Sequence, residues 1–128
     1  MFLDTTIVIE LLQGDSKSKR IEKILAFIKD EPIFISVIQL GEITDWCISA
    51  KADTFKPISQ IKEIANIIPV NEKIAIEGAE IKHEMRNSGI KKFSLMDGLI
   101  LASARSINQN LLTSDTDFRK AKDAVIIK

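Results

Sequence analysis

Two kinds of apolar spacing alternate along the chain. Short uninterrupted runs, Phe2-Leu3, Ile33-Phe34-Ile35, Ile67-Ile68, Leu111-Leu112 and Val125-Ile126-Ile127, lack a polar residue at every second position. A strand with one wet face would show that alternation, so these runs predict strands buried on both faces, as in a parallel sheet. Between them the period lengthens. Ile21, Ile24, Leu25 and Ile28 fall at i, i+3, i+4, i+7, as do Met96, Leu99, Ile100 and Ser103; Ile74, Gly78, Ile81 and Met85 fall at i, i+4, i+7, i+11. Residues so spaced share one side of a helix, and these segments predict amphipathic or buried helices.

Punctuation agrees with this division. Gly14 is expected to end a first helix, Pro32 to precede the second strand, Pro57 to open a helix, and Asn87-Ser88-Gly89 to close a long one. No two-residue hairpin turn of the Asn-Gly kind separates the apolar runs, so strand and helix alternate in an α/β layer architecture with a mainly parallel sheet. At 128 residues the chain has the size of one domain spanning 1–128, with a radius of gyration near ~14 Å.

Composition narrows the class. Hydrophobic residues make up 45% and charged residues 28%, a globular balance that excludes a disordered or collagen-like chain. The 18 basic and 18 acidic side chains cancel, so no global field holds a polyanion, and contact with nucleic acid must come from local patches or metal ions. A single cysteine, Cys47, rules out a disulfide framework or a Cys-rich zinc site within the chain, and reads as core in a reducing compartment. Only three residues precede Asp4 and no apolar run approaches the ~18 residues of a membrane span, so a soluble cytoplasmic protein is expected.

The acids carry the candidate chemistry. In open parallel α/β sheets, ligands bind beyond the carboxyl ends of the strands. Asp4 directly follows the first strand and Asp115 follows Leu111-Leu112-Thr113-Ser114. Glu42 lies six residues beyond Ser36, about 9 Å along a helix, with a side chain that leans back toward the helix start. Asp97 falls in the first turn of a helix running from Ser94 to Ile107. Each acid also has a plain structural reading. Asp4 and Asp115 suit the N-cap position, Ser94-Leu95-Met96-Asp97 is close to a capping box, and Glu42 suits a solvent-facing helix position. As a set they point further. Apolar neighbours surround Asp97 and Glu42, no Lys or Arg lies within a helical turn of Asp97, and unpaired buried acids are costly. Clustered carboxylates of this kind suit Mg²⁺ or Mn²⁺, which favour hard oxygen ligands.

Four segments carry a family resemblance: Asp4-Thr5-Thr6; Ile35-Ser36-Val37-Ile38-Gln39-Leu40-Gly41-Glu42-Ile43; Ser94-Leu95-Met96-Asp97-Gly98-Leu99-Ile100-Leu101-Ala102-Ser103-Ala104; and Leu111-Leu112-Thr113-Ser114-Asp115-Thr116-Asp117-Phe118. In their order they resemble the motifs of PIN-domain ribonucleases, most of all VapC-type toxins of toxin–antitoxin pairs. The resemblance covers nearly the whole chain and implies a three-layer PIN-like fold with about five short strands. It implies that Asp4, Glu42, Asp97 and Asp115 are the acids of a metal-dependent endoribonuclease, with Thr6 and Thr113 as polar support. Asp4, Asp97 and Asp115 would then bind Mg²⁺ or Mn²⁺, while Glu42 would orient the attacking water. Gly98 departs from the small Ala common at its position. Asp117 adds a fifth acid, so two candidates exist for the fourth place; Asp115, nearer the strand end, is favoured. A VapB-like antitoxin and a homodimer are further implications.

Rival chemistries lack their parts. Neither Gly-x-x-x-x-Gly-Lys-Ser/Thr nor Gly-x-Gly-x-x-Gly is present, so no phosphate cradle is indicated. A haloacid-dehalogenase-like phosphatase would need an acid where Thr6 stands. His83 and Cys47 both fall mid-helix with no orienting partner indicated. Basic residues flank the candidate site in sequence. Lys91 and Lys92 precede the Asp97 helix and Arg119 follows Asp115, positions suited to phosphates on either side of a cut, although helix faces and loops carry such residues for solvation alone. A housekeeping RNA-processing nuclease and a non-catalytic interaction module, in which the acids only cap helices, are the alternatives.

Overall fold

The structure, a computed structural model, describes residues 1–14 and 17–128. Its strands are β1 (Phe2–Leu3), β2 (Phe34–Ser36), β3 (Asn66–Ile68), β4 (Leu111–Thr113) and β5 (Ala124–Ile126). Its α-helices are α1 (Thr5–Gln13), α2 (Lys19–Ile28), α3 (Val37–Ser49), α4 (Phe55–Ile64), α5 (Glu72–Asn87) and α6 (Leu95–Ser106), and a 3₁₀ turn spans Thr116–Phe118. The five strands form one sheet in the order β3-β2-β1-β4-β5, and every pairing is parallel. Each predicted apolar run contributes to a strand, with β2 displaced by one residue toward the C-terminus and β5 by one toward the N-terminus.

The uniform apolarity of the strands has a direct cause. Successive strand side chains point to opposite faces. Phe2, Phe34, Ile68 and Leu111 pack into one core with α5 and α6, while Leu3, Ile35, Ile67 and Leu112 pack into a second core with α1 to α4. The sheet is thus the middle of three layers. Full burial of side chains such as Phe2 and Leu3 contributes roughly 1.5–3 kcal/mol each.

Helix ends follow local chemistry. Ser36 and Ser94 each build a capping box, closed by Gln39 and Asp97 respectively. Asn71 caps α5 through Ile74 N at 2.9 Å, and past its last turn Gly89 adopts a φ of 105°, open to glycine at little cost. Pro57 lies in the first turn of α4, where a missing N–H breaks no helical bond.

Helices α5 and α6 meet backbone to backbone. A Cβ on Gly98 would collide with the Gly78 carbonyl oxygen, and one on Gly78 would lie 2.7 Å from Leu99 Cδ2. That contact accounts for glycine, rather than alanine, beside Asp97. No described helix is long and apolar enough to cross a membrane.

Candidate active site

Neighbours β1 and β4 sit at the centre of the sheet, and the chain leaves them toward opposite edges, which opens a crevice at their carboxyl ends. Asp4 is the first residue after β1 and is only 4% exposed. Its Oδ2 accepts from Thr113 Oγ1 at 2.6 Å and from Thr6 Oγ1 at 3.0 Å. Although Asp4 occupies the N-cap position of α1, its side chain makes no cap hydrogen bond. Burial pushes this carboxyl up to about 6 and the charge of Asp97 adds to the effect, against the pull of hydrogen bonds from Thr113, Thr6 and the Thr5 backbone.

Glu42 reaches the crevice from the second turn of α3. It is half-buried, and its Oε1 accepts from Thr5 Oγ1 at 2.7 Å. Burial, then the nearby Asp97 charge, raises its pKa despite that bond. Asp97 stands in the first turn of α6, where its Oδ2 accepts from Ser94 N at 2.9 Å while Asp97 N donates to Ser94 Oγ at 3.0 Å. Its pKa is raised too, by burial first and by Asp115 and Asp117 as well.

Asp115 and Asp117 complete the cluster from the far side. The amide of Asp115 donates to Thr113 Oγ1 at 2.9 Å, and Asp115 Oδ1 caps the 3₁₀ turn by accepting from Asp117 N at 2.8 Å. Asp97, Asp115 and Asp117 each offer a carboxylate oxygen, all within 4.8 Å of one another. Asp117 also lies 4.0 Å from the Arg119 guanidinium.

The fold therefore brings together Asp4, Glu42, Asp97 and Asp115, with Asp117 beside them. Thr6 and Thr113 stand behind Asp4 and tie it to the β4 loop, since Thr6 Oγ1 also accepts from Ser114 N at 3.3 Å. Lys91, Lys92 and Arg119 are exposed, with Arg119 Nη1 donating to Thr116 O at 3.0 Å. Cys47 is buried in the α1–α4 core while His83 is exposed on α5, so the two do not form a pair. Thr5 and Gln39 belong to the site's hydrogen-bond network and went unrecognised in the sequence. The signal for Gln39 was the Ser-x-x-Gln spacing from Ser36, which marks a capping box.

This donor set fits a hard divalent cation. Its ligand atoms are carboxylate oxygens, the ligands such ions favour, and like charges brought this close repel one another unless a cation lies between them. The basic partners found elsewhere are engaged away from the crevice, Arg20 with Glu10 and Arg105 with Asp123.

Comparison with known proteins places this fold. A search of curated proteins found no match. Among solved structures, the chain is similar to one from a toxin–antitoxin complex of Klebsiella pneumoniae, at 24% identity and a TM-score of 0.76, covering 97% of this chain and 94% of that one. It is similar to a chain of VapBC-1 from nontypeable Haemophilus influenzae, at 21% identity and a TM-score of 0.74, covering 99% and 96%. A third is VapC20 of Mycobacterium tuberculosis, described as a sarcin–ricin-loop-cleaving toxin, at 21% identity and a TM-score of 0.71, covering 99% and 98%. These likenesses are of fold. The PIN domain model matches residues 1–124, nearly the full length, and the chain belongs to the PIN domain family.

Proposed function

We propose that this protein is a metal-dependent endoribonuclease, the toxin of a VapBC-type toxin–antitoxin pair acting in the cytoplasm. The observation that carries the reading is the convergence of the acids from β1, α3, α6 and the β4 loop on one crevice, with pKa values raised at Asp4, Glu42 and Asp97. Asp4, Asp97 and Asp115 are the residues proposed to hold Mg²⁺ or Mn²⁺, with Asp117 close enough to Asp97 and Asp115 to share in the task. A bound divalent ion supplies charge neutralisation at a scissile phosphate and lowers the pKa of a coordinated water.

The chain's own groups do the rest. Thr113 and Thr6 fix the orientation of Asp4, and Glu42 orients the attacking water. Lys91, Lys92 and Arg119 hold phosphates on either side of the cut, a contact that positions RNA without reading its sequence.

Antitoxin complexes among the similar structures support a VapB-like partner for this chain. Ile7, Ile21 and Ile24 are core, whereas Leu11 and Leu12 on α1 line a cavity of about 290 Å³ between α1, β2 and α4. That cavity suits an apolar anchor of an extended or helical tail. A homodimer is proposed on family grounds.

The test is cleavage of single-stranded RNA by wild type beside Asp97→Asn, with Mn²⁺ and with EDTA. Cleavage is expected only for wild type with metal, and equal cleavage in EDTA would remove the metal mechanism. Expression of the gene alone should arrest growth, and co-expression of a neighbouring antitoxin frame should relieve the arrest. Harmless expression of an active enzyme would sink the toxin assignment and leave the nuclease.

A further inference from the structure

The hydrogen bonds behind Glu42 admit a single direction. Gln39 is fully buried in the first turn of α3. The Ser36 amide donates to Gln39 Oε1 at 2.7 Å, which identifies the oxygen end of the side-chain amide. Its Nε2 then faces the Leu3 carbonyl oxygen at 2.8 Å and Thr5 Oγ1 at 3.2 Å. An amide nitrogen only donates, so one hydrogen goes to Leu3 and the other to Thr5. Thr5 Oγ1 is therefore an acceptor toward Gln39, and its own single hydrogen is directed at Glu42 Oε1, 2.7 Å away. With Glu42 ionised, reversing any link would set two donors or two acceptors against each other, and no buried polar side-chain atom is unpaired among the described residues.

We propose that Thr5 and Gln39 are positioning residues for Glu42: the chain Gln39 Nε2–Thr5 Oγ1–Glu42 Oε1 engages one carboxylate oxygen and reserves Oε2 for the attacking water. The carboxylate is thereby anchored to the end of β1, the strand that also delivers Asp4. Glu42 arrives on α3 and Asp4 on β1, so a tie between those elements sets the distance between water and metal ligand. Gln39 also closes the α3 capping box, which makes Thr5 the cleaner place to test the idea.

The catalytic half of this inference rests on the nuclease reading; the direction of the hydrogen bonds does not. Three variants separate them: Thr5→Val, which keeps volume and removes the hydroxyl, Thr5→Ser, which restores it, and Thr5→Val combined with Glu42→Gln. Loss of one hydrogen bond of this strength corresponds to about tenfold in rate. The expected result is about a tenfold fall in kcat for Thr5→Val with KM within about twofold, and near wild-type kcat for Thr5→Ser. In the Glu42→Gln background, Thr5→Val should add no further loss, because the two act as one unit. A second readout uses metal-free protein: the Glu42 side-chain carboxyl ¹³C resonance should shift in Thr5→Val and return in Thr5→Ser. Wild-type kcat in Thr5→Val, equal impairment in Thr5→Ser, or an unmoved Glu42 resonance would overturn the inference. If wild type cleaves no RNA with Mn²⁺, the nuclease reading fails, and the resonance alone decides whether Thr5 positions Glu42.

Discussion

Beside the end of β1, Asp4 and Glu42 take hydrogen bonds from the side-chain hydroxyls of Thr113, Thr6 and Thr5, with the Thr5 backbone adding to Asp4, whereas across the crevice Asp97 and Asp115 take theirs from backbone amides at the starts of α6 and the 3₁₀ turn. The first pair of side chains caps nothing, although Asp4 sits at an N-cap position. The second pair does double duty, closing a capping box and a 3₁₀ turn. An acid that also caps is partly repaid in stability for its place in the cluster; an acid that does not is held there against its own desolvation. Substitutions on the two sides should therefore cost similar activity and have different effects on folding.

The largest expected effect is on catalysis. Asp4→Asn and Asp97→Asn should each lower RNA cleavage by on the order of 10²–10³-fold, the size associated with removing one preorganised electrostatic group. An active variant on either side would take that acid out of the proposed ligand set.

Folding stability comes next and separates the two sides. The Asp4 carboxyl is raised from 3.8 to about 6, so the folded state binds its proton more tightly than the unfolded state. Stability from this group is greatest at low pH and is lost as pH rises from about 4 through 6, by up to about 3 kcal/mol. In metal-free protein, Asp4→Asn should match wild type near pH 4 and be the more stable of the two at pH 8, by at most that amount. Urea unfolding in EDTA at both pH values checks this. Adding Mg²⁺ should stabilise wild type and leave the variant unmoved.

Gly98→Ala should cost about 1–3 kcal/mol, because the added methyl meets backbone rather than a side chain that can turn aside. Thermal melts measure it. The smallest effect lies at the caps. Asp97→Ala removes half of the capping box and should destabilise the protein by about 0.5–2 kcal/mol, less whatever relief of charge repulsion offsets. Asp97→Asn keeps an acceptor for Ser94 N, so it should be the more stable of the two in EDTA. Equal stability would mean that the cap contributes little.

Much of this was legible in the chain. The five strands stood out because burial on both faces removes every polar position from runs such as Leu111-Leu112, and the acids stood out because strand ends are where open sheets bind ligands. Glu42 needed the helix periodicity of α3 to bring it back to the crevice. Other features depend on contacts that no local pattern encodes. Thr5 and Gln39 meet across 34 residues of chain, and the direction of their hydrogen bond is decided by Ser36 and Leu3 on either side. Asp115 and Asp117 remain joint candidates because one short turn presents both to Asp97. The glycine at position 98 was visible as a departure, but its reason, the Gly78 carbonyl, lies on another helix.

The Gly78–Gly98 contact gives the α5–α6 pair a fulcrum. With no side chain between the backbones, that crossing can neither swell nor shrink when larger or smaller residues replace those packed along the rest of the two helices. Repacking elsewhere tilts one helix about this point, and displacement grows with distance from it. Asp97 is the residue next to the fulcrum, so it is among the side chains that drift in the hydrophobic core would move least.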